Sequence, residues 1–422
     1  MENGNKLENK APKGEKNGKQ QKLCNIAIAA ILVVAIVLAG VFLLPDMVGK
    51  NEDTGSDQFT EGEVILLDNR KIAPIQTGAW GNCHIQGIAV DIKNGYIYYS
   101  FTTKLIKATL DGEIVGTLDG LAGHLGCIAF NESDGCVYGS LEYKNDVIGK
   151  DILEVIGSER TFEDAFYVVK FDVDKITEPN MSTENTDIMS AVCLYEVEKD
   201  YKWKGKDTDG NALEHKYGCS GIDGLTFGPL PGKSVDDGMY LYVAYGIYND
   251  VSREDNDYQI LLCYDMEEWE KYALPLSQNN MHKSGFEKPL HKFFVYTGNT
   301  EYGVQNLEYD KHTNSLFMAV YKGFKENFPN YTLFNVDLSV QPQTKELKGI
   351  DETAEVLSLS QKGLYDEKTG VYGWYFPLGS TGLFSFGDGD WLICRHFRTD
   401  EGQCGEIEHY IWDEKTPFIK KK

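Results

Sequence analysis

The sequence predicts an all-β protein, a five-bladed β-propeller that follows one N-terminal transmembrane helix. A short phrase recurs along the chain, and each copy is followed by several strand-like segments. An uncharged apolar stretch near the N-terminus predicts the membrane span. The composition agrees with strands and turns, because aromatic residues make up 12% of the chain and 43 glycines are scattered among them.

The recurring phrase is clearest in HIQGIAVD (84–91) and HLGCIAFN (124–131), and looser copies are GIDGLTFG, GVQNLEYD and STGLFSFG. The equivalent position in the five copies is held by Gln86, Gly126, Asp223, Gln305 and Thr381. Strands rich in β-branched and aromatic residues follow each copy, and four such strands form one propeller blade. Five copies predict five blades. Six blades are the alternative, because 97 residues separate the second and third copies.

The pattern leaves alternatives for the outer strands of the later blades. The fourth strand of blade three is either EKYALPL or KFFVYTG, and blade four has a weak fourth strand near residues 343–349. Blade five has no outer strand of its own, whereas EGEVILLDN (61–69) is a spare strand ahead of blade one. We expect this strand to complete blade five and to close the ring, which removes two exposed sheet edges.

The apolar stretch Leu23–Pro45 contains no charged residue, and a helix of this length reaches roughly across the hydrocarbon core of a bilayer. The alternative is a cleaved signal peptide, whose apolar core is usually shorter, about 7 to 15 residues. Six lysines precede the stretch, whereas one lysine and four acidic residues follow it in DMVGKNEDTGSDQ. Positive residues stay in the cytoplasm, so we predict a single-pass cell-membrane protein with its N-terminus inside and its large domain outside.

These observations predict five regions in the chain. They are a disordered cytoplasmic tail, a transmembrane anchor, a linker, the β-propeller and a C-terminal tail, at residues 1–22, 23–45, 46–59, 60–415 and 416–422. The formal net charge of −24 would repel a phosphate backbone, so nucleic acid is not an expected partner.

Eight of the nine cysteines follow the apolar stretch, and an even number in an oxidising compartment permits disulfides. The near pairs are Cys127 with Cys136 and Cys394 with Cys404, which would fall across adjacent strands. Several cysteines lie within apolar strands, where a free thiol packs as a small apolar side chain. Both alternatives, disulfides and free thiols, therefore stay open.

The succession of apolar strand, short DG or NG turn and YxYV-like strand resembles β-propellers of the NHL and gluconolactonase-like kind over nearly all of residues 60–415. This resemblance implies the fold but no particular activity. The Gln-Gly of HIQGIAVD is also similar to the first blade of five-bladed plant-type glutaminyl cyclases. That resemblance implies a glutamate at the start of the next blade, where this chain has His124-Leu125-Gly126, so the cyclase residues do not carry over.

The lengths of the connections predict a working face. Hairpins between the first and second strands, such as IKNG and NESDG, are short. Long connections, at 144–165, 198–220, 277–302 and 350–379, are expected on the opposite face, where the inner strands begin. Insertions concentrated on one face of a repeat fold usually mark its working surface. We call this the long-connection face.

Polar side chains at the starts of the inner strands would surround the channel on this face, with Glu308 deeper. His84, His124 and Asp223 are the candidate catalytic residues and also the candidate ligands of a divalent metal, because imidazole and carboxylate groups suit both roles. The candidate ligand-binding residues are Gln86, Gln305, Thr381 and Trp203. The alternative is that the channel residues only hold water and satisfy backbone groups.

The predicted function is binding of an extracellular carbohydrate, peptide or protein partner on the long-connection face, where Trp203 and Tyr331 suit stacking. A small-molecule hydrolase or lyase with a polar or metal site at the channel is the alternative, so enzymatic activity stays open. A structural partner of another envelope protein is a third class, and it predicts a broad exposed apolar patch.

Overall fold

Each copy of the recurring phrase forms the innermost strand of an antiparallel sheet, and the five sheets are the blades of a β-propeller. The computed structural model describes residues 72–184, 187–207 and 210–422, which lie in the unit Val64–Lys422. The predicted tail, the apolar stretch 23–45 and the predicted strand 61–69 lie outside these residues. Within the described ranges, no helix is long and apolar enough to cross a membrane.

The blades follow one another along the chain after a short strand, β1 (Ile75–Gln76). Blade one consists of β2 (Ile85–Asp91), β3 (Tyr96–Phe101), β4 (Lys104–Thr109) and β5 (Ile114–Asp119). Blade two consists of β6 (His124–Asn131), β7 (Cys136–Tyr143), β8 (Ala165–Phe171) and β10 (Met189–Leu194), with β9 (Met181–Ser182) attached to β5 of blade one. Blade three consists of β13 (Cys219–Gly228), β14 (Tyr240–Ile247), β15 (Tyr258–Tyr264) and β18 (His291–Tyr296).

The last two blades are shorter. Blade four consists of β19 (Glu301–Asp310), β20 (Ser315–Tyr321) and β21 (Leu333–Asp337). Blade five consists of β26 (Leu383–Ser385), β27 (Asp390–Thr399) and β28 (Gly402–Trp412). The other elements of the described ranges are helices α1 (Val147–Val155) and α2 (Tyr195–Tyr201) and strands β11 (Lys204–Lys206), β12 (Ala212–Glu214), β16 (Leu274–Pro275), β17 (Gly285–Phe286), β22 (Gln343–Glu346), β23 (Thr353–Val356), β24 (Leu364–Asp366), β25 (Val371–Gly373) and β29 (Phe418–Lys420).

The five-bladed arrangement is confirmed, and the insertion between the second and third copies does not form a sixth blade. This insertion contains α1, α2, two further strands of blade two and the β11–β12 hairpin. Of the two candidates for the fourth strand of blade three, KFFVYTG is right, because β18 pairs with β15. The rival EKYALPL contains β16, which instead pairs with β10 of blade two.

Two sequence-based assignments of outer segments were wrong. Residues 343–346 do not complete blade four, because β22 and β23 form a hairpin that extends blade three beyond β18. Blade four is instead covered by single bridges from Leu359 and Trp374 to β21. Most of the predicted long connection 277–302 belongs to the link between β15 and β18, which also contributes β16 and β17 to the edge of blade two.

The ring closes at the outer edge of β28, where two segments share the position of a fourth strand. On one half of this edge, β1 pairs with Glu406 and Ile407, and Thr77 and Trp80 donate backbone hydrogen bonds farther along. On the other half, β29 pairs with residues 410–412. The closing strand is therefore N-terminal, as expected, but it is supplied by residues 75–81 and completed by the C-terminal segment 418–420.

The apolar core consists of five clusters, each lying between two neighbouring blades. Opposite faces of each sheet thus contribute to different clusters, as the alternation of side chains along a strand requires. All eight cysteines of the described ranges are free and buried. Cys136 lies opposite Asn131, and Cys394 lies opposite Ile407, so neither near pair faces its expected partner.

The inner strands approach one another closely at the propeller axis. Each of β2, β6, β13 and β19 has a β-bulge at the repeat position predicted from sequence. The next position holds Gly87, Cys127, Gly224, Asn306 and Gly382 in the five blades. A Cβ atom on Gly87 would lie 2.9 Å from the amide nitrogen of Ile128 on the neighbouring blade, which is closer than real Cβ atoms come.

The side chain of Asn306 closes the axis at this level. Its Nδ2 donates hydrogen bonds to the carbonyl oxygens of Gln86, at 2.8 Å, and Ser380, at 2.9 Å. Its Oδ1 lies 3.5 Å from the thiol of Cys127, whose sulfur is also 3.4 Å from the carbonyl oxygen of Leu225. One amide, only 1% exposed, therefore joins blade four to blades one, two and five.

Replacing Asn306 by alanine should destabilise the whole ring. The change removes the side-chain donor to two partly buried carbonyl oxygens at the axis, so we expect the free energy of unfolding to fall by about 2–4 kcal/mol in urea denaturation. The control is Asn145→Ala, since Asn145 is exposed on the long-connection face. Equal stability of the two variants would show that the axis does not depend on this amide.

Candidate functional site

Beside the axial amide, polar and aromatic side chains from all five blades lie together on the long-connection face. They come from the starts of the inner strands and from the ends of the second strands. We call this set the mouth: His84, His124, Glu142, Lys144, Asp223, Tyr302, Gln305, Tyr321, His396 and Arg398. Glu142, Lys144, Asp223 and Gln305 are buried, whereas His84, Tyr302, Tyr321 and Arg398 are exposed. The mouth therefore has a buried floor and an exposed rim.

Asp223 occupies the centre of the floor. Its Oδ1 lies 3.3 Å from the backbone nitrogen of Cys127, which donates to it, and the Gln305 side chain also forms a hydrogen bond with it. A Cβ atom at Gly126 would lie 2.1 Å from the same oxygen, so the glycine of blade two makes room for this carboxyl group. Burial, reinforced by the negative charge of Glu142, raises the pKa of Asp223 well above its ordinary value.

Glu142 and Lys144, at the end of β7, form a buried ion pair beside Asp223. Lys144 Nζ lies 2.5 Å from Glu142 Oε1 and donates to the carbonyl oxygen of Ser220 at 3.0 Å. The other oxygen of Glu142 accepts a hydrogen bond of 3.1 Å from the backbone of Ile222, the residue before Asp223. Burial opposes both charges, but Glu142 and Asp146 together raise the pKa of Lys144, so the ammonium stays charged.

Three histidines and one arginine occupy another sector of the mouth. His84 packs against His396 with ring centroids 4.9 Å apart, and Arg398 Nη2 donates to Asn82 Oδ1 at 3.2 Å. Desolvation, followed by the positive charges of His396 and Arg398, lowers the pKa of His84 to about 4. Burial, followed by Lys144 and His84, lowers the pKa of His124 to about 3. These histidines are therefore neutral at pH 7.

Two tyrosines of blade four form part of the rim. Tyr321 is 38% exposed, and its hydroxyl forms a hydrogen bond with Ser380. Desolvation by the surrounding protein, followed by the charge of Asp223, raises the pKa of Tyr321 to about 12, so the phenol stays a hydrogen-bond donor at pH 7. Tyr302 has a backbone φ of +61°, which is strained for a bulky residue. The carbonyl of Tyr302 accepts a 3.1 Å hydrogen bond from the Gln305 side chain, which helps to hold this conformation.

The remaining predicted ligand-binding residues lie in different places. Gln86 occupies the bulge of β2 and donates to Thr102 Oγ1 at 3.2 Å. Thr381 precedes β26 and donates to the carbonyl oxygen of Cys394 at 3.1 Å. Trp203 precedes the β11–β12 hairpin, where its ring lies against Gly205. Gln86 and Thr381 therefore belong to the ring of inner strands, whereas Trp203 belongs to an outer hairpin.

The structure places the candidate trio on neighbouring blades but does not link its members directly. His84 packs on His396, His124 faces Glu142 across 4.0 Å, and Asp223 faces Cys127 and Gln305. In the described ranges, no hydrogen bond or ion pair joins Asp223 to either histidine, and no group of three or more His, Cys, Asp or Glu side chains is placed to hold a metal ion.

The sequence pattern missed the charged groups on the second strands. Glu142, Lys144, His396 and Arg398 follow no shared phrase, because the second strands were recognised only by their apolar residues. Their position in the second strand could have revealed them. Each of these polar groups follows the apolar residues of its second strand, at the end that reaches the long-connection face.

Glu308 lies on the other side of the axial amide. It accepts hydrogen bonds from the backbone nitrogen of Ser385, at 2.9 Å, and from Thr226 Oγ1, at 3.3 Å. Burial raises the pKa of Glu308 to about 8, so this carboxyl is largely protonated at neutral pH. It is separated from the mouth by Asn306 and Cys127 and is therefore not part of it.

Comparisons with known proteins assign the chain to no family. No protein-family model matches the chain, and no curated protein sequence matches it. Among solved structures, it is similar to a GH43 β-1,3-galactosidase with galactodeoxynojirimycin, at 11% identity and a TM-score of 0.40 over 82% of this chain and 98% of that one. The Dos1 propeller matches at 9% identity and a TM-score of 0.30 over 80% of this chain and 70% of that one.

A third structure is the holo PQQ domain of pyranose dehydrogenase from Coprinopsis cinerea. It matches at 11% identity and a TM-score of 0.30 over 76% of this chain and 81% of that one. Identities this low, with such TM-scores, assign no role to any residue of the mouth.

Glu308→Gln should change how stability depends on pH. An ordinary glutamate titrates near 4.5 when unfolded, but Glu308 titrates near 8 when folded, so its contribution to stability is complete below pH 4.5 and is lost as the pH rises through 8. Between pH 5 and 9, we expect the wild type to lose roughly 2–4 kcal/mol relative to the variant, measured by urea denaturation. Glu132→Gln, an exposed change on the β6–β7 hairpin, is the control. Parallel pH profiles for wild type and Glu308→Gln would contradict the assignment.

Proposed function

We propose that this chain is a single-pass cell-membrane protein whose propeller lies outside the cell and binds a carbohydrate, a peptide or an exposed part of a protein partner in the mouth. The uncharged stretch 23–45, with lysines before it and acidic residues after it, supports the anchor and its orientation. The resemblance of the strand and turn pattern to NHL and gluconolactonase-like propellers is retained as part of the proposal, and the five-bladed fold is consistent with it.

The observation that carries the binding proposal is the construction of the mouth. Asn306 bridges neighbouring blades at its floor, so a ligand held by the mouth would rest on the axial amide rather than pass through the ring. Buried polar groups on the floor and exposed aromatic rings on the rim supply both hydrogen bonds and stacking surfaces. A small-ligand site usually combines a few polar groups at fixed positions with aromatic side chains around them.

Tyr321→Ala should weaken binding without unfolding the protein. Ligands would first be found by applying the full chain to glycan and peptide arrays and then measured by calorimetry. Loss of an exposed aromatic surface should reduce affinity at least tenfold, which corresponds to about 1.4 kcal/mol. Tyr365→Ala is the matched control, because Tyr365 is 51% exposed on the β24–β25 hairpin. Binding that is equally strong in both variants would place the ligand elsewhere.

A small-molecule hydrolase or lyase is the second candidate. The favouring observation is that two carboxyl groups in different surroundings lie next to each other: burial raises the pKa of Asp223 well above its ordinary value, whereas Glu142 is paired with Lys144. A carboxyl group of raised pKa beside an ion-paired carboxyl group is an arrangement suited to general acid–base catalysis. In this reading, Asp223 would donate the proton, and the histidines of the mouth would orient the substrate.

Asp223→Asn separates catalysis from binding. If the mouth is catalytic, turnover of chromogenic esters, lactones or glycosides should fall at least 100-fold in this variant, while ligand affinity changes less than tenfold. Turnover should also decline as the pH rises through the elevated pKa of Asp223, because the acid is then deprotonated. Asp151→Asn, an exposed change on α1, is the control. A chain that binds ligands but turns over none of these compounds would leave the binding proposal in place.

A further inference from the structure

The basic groups of the mouth are concentrated in one sector formed by three blades. His84 comes from the start of β2 in blade one, and His124 comes from the start of β6 in blade two. His396 and Arg398 are two residues apart on β27 of blade five, so their side chains extend from the same side of the strand. We call these four residues the histidine–arginine sector.

In the described ranges, one carboxylate forms an ion pair with this sector, and it is already engaged elsewhere. Glu142 lies 4.0 Å from His124 Nδ1 but is held by Lys144 at 2.5 Å and by the backbone of Ile222. Asp400 and Glu401 follow β27, but the ion pairs of the described ranges include none between them and the sector. The groups that act on the three histidines are each other, Arg398, Lys144 and the neutral Gln403.

The sector also contains hydrogen-bonding capacity that the folded chain leaves unused. The Nδ1 atom of His124 is buried and has no hydrogen-bond partner. Arg398 makes one hydrogen bond, to Asn82, and its guanidinium group remains exposed. In a chain with a net charge of −24, the exposed Arg398 guanidinium beside the unpaired ring nitrogen of His124 is complementary to an anion.

We infer that the histidine–arginine sector binds the oxyanion of a small ligand, a carboxylate, sulfate or phosphate group, and takes up a proton from solvent as it does so. This inference rests on the proposed ligand-binding function and adds the chemical class of the ligand. Arg398 supplies the permanent charge, and the histidines supply N–H donors on the facing blades.

The proton uptake follows from the state of the histidines. His396 Nε2 hydrogen-bonds to Gln403 Oε1, so its other ring nitrogen cannot donate to an oxyanion until it is protonated. A bound anion stabilises the imidazolium form and raises the pKa of each histidine it contacts. The proton comes from water, no covalent bond is made or broken, and the anion keeps its own charge.

The sign of the pH dependence is fixed by these states. In the free protein the histidines are neutral at pH 7, since the pKa of His84 is lowered to about 4 and that of His124 to about 3. Binding is therefore tighter at lower pH, and affinity rises about tenfold per pH unit for each proton taken up. Without an anion, the lowered pKa values cause stability to be lost as the pH falls from 6.5 towards 4.

The test uses sulfate, which remains a dianion between pH 5 and 8, so any pH dependence belongs to the protein. Calorimetric titration of the full chain with sulfate, at constant ionic strength set with chloride, should give an affinity at pH 5.5 at least tenfold higher than at pH 7.5. Repeating the titration in two buffers of different ionisation enthalpy should show uptake of about one proton per sulfate bound.

Substitutions test which residues of the sector bind sulfate and which take up the proton. Arg398→Met should reduce sulfate affinity at least tenfold at every pH, whereas His396→Gln should mainly flatten the pH profile. Arg160→Met and His312→Asn are the matched controls, since both residues lie outside the mouth and His312 is exposed on a short hairpin. Unchanged affinity in Arg398→Met, or an affinity independent of pH, would overturn the inference.

A matched pair of ligands separates this inference from the proposed function. Glucuronate and glucose differ by one carboxylate, and we expect only glucuronate to show pH-dependent binding that is lost in Arg398→Met. If a neutral ligand binds in the mouth with no pH dependence while sulfate and glucuronate do not bind, the inference fails and the proposed function stands. If no ligand, charged or neutral, binds in a way that either Tyr321→Ala or Arg398→Met weakens, both fail.

Discussion

The crowding of five inner strands around one axis is the constraint on which the rest of the structure depends. At the narrowest level three blades contribute glycine, and only Cys127 and Asn306 have side chains there. The amide of Asn306 satisfies carbonyl groups on two other blades, which no apolar side chain of similar size could do. A polar centre therefore links blades whose apolar cores are separate, because each core lies between only two sheets.

The closed axis also determines the electrostatics on either side of it. Asp223 and Glu308 both lie next to the closed level with limited access to water, so burial favours their protonated forms. Lys144 stays charged because two carboxylates flank it. The histidines are not flanked by two carboxylates in this way, and desolvation keeps them neutral. One geometric constraint thus produces a mouth in which a carboxyl group of raised pKa, an ion pair and uncharged imidazoles lie near one another.

The repeated phrase predicted the inner strands, which depend on local sequence pattern. It missed some outer strands and the charged groups, whose positions depend on packing between distant segments. It identified five inner strands and the bulge position held by Gln86, Asp223 and Gln305, because apolar alternation and turn residues determine those locally. It could not place β22, since an exposed strand with the sequence QTKE carries no apolar signal that selects blade three over blade four. Glu142 and Arg398 were missed for a similar reason: they lie beyond the apolar part of a second strand, where only the tertiary structure brings them to the mouth.

The positions of the long insertions show that the length of a connection does not by itself mark a working face. Every blade ends in an outer strand whose backbone groups need partners, and four blades obtain them from strands or bridges within insertions: β9, the β16 and β17 pair, the β22–β23 hairpin, and the bridges from Leu359 and Trp374. Blade five obtains them from the two ends of the propeller. Much of the inserted chain thus protects sheet edges, as propellers must do in some way.

Two inserted segments remain available for recognition. They are the connection that contains α1 and the segment from α2 through the β11–β12 hairpin, and both adjoin blade two. The same blade supplies His124, Glu142 and Lys144. The side of the mouth nearest blade two therefore has both inserted segments and buried polar groups.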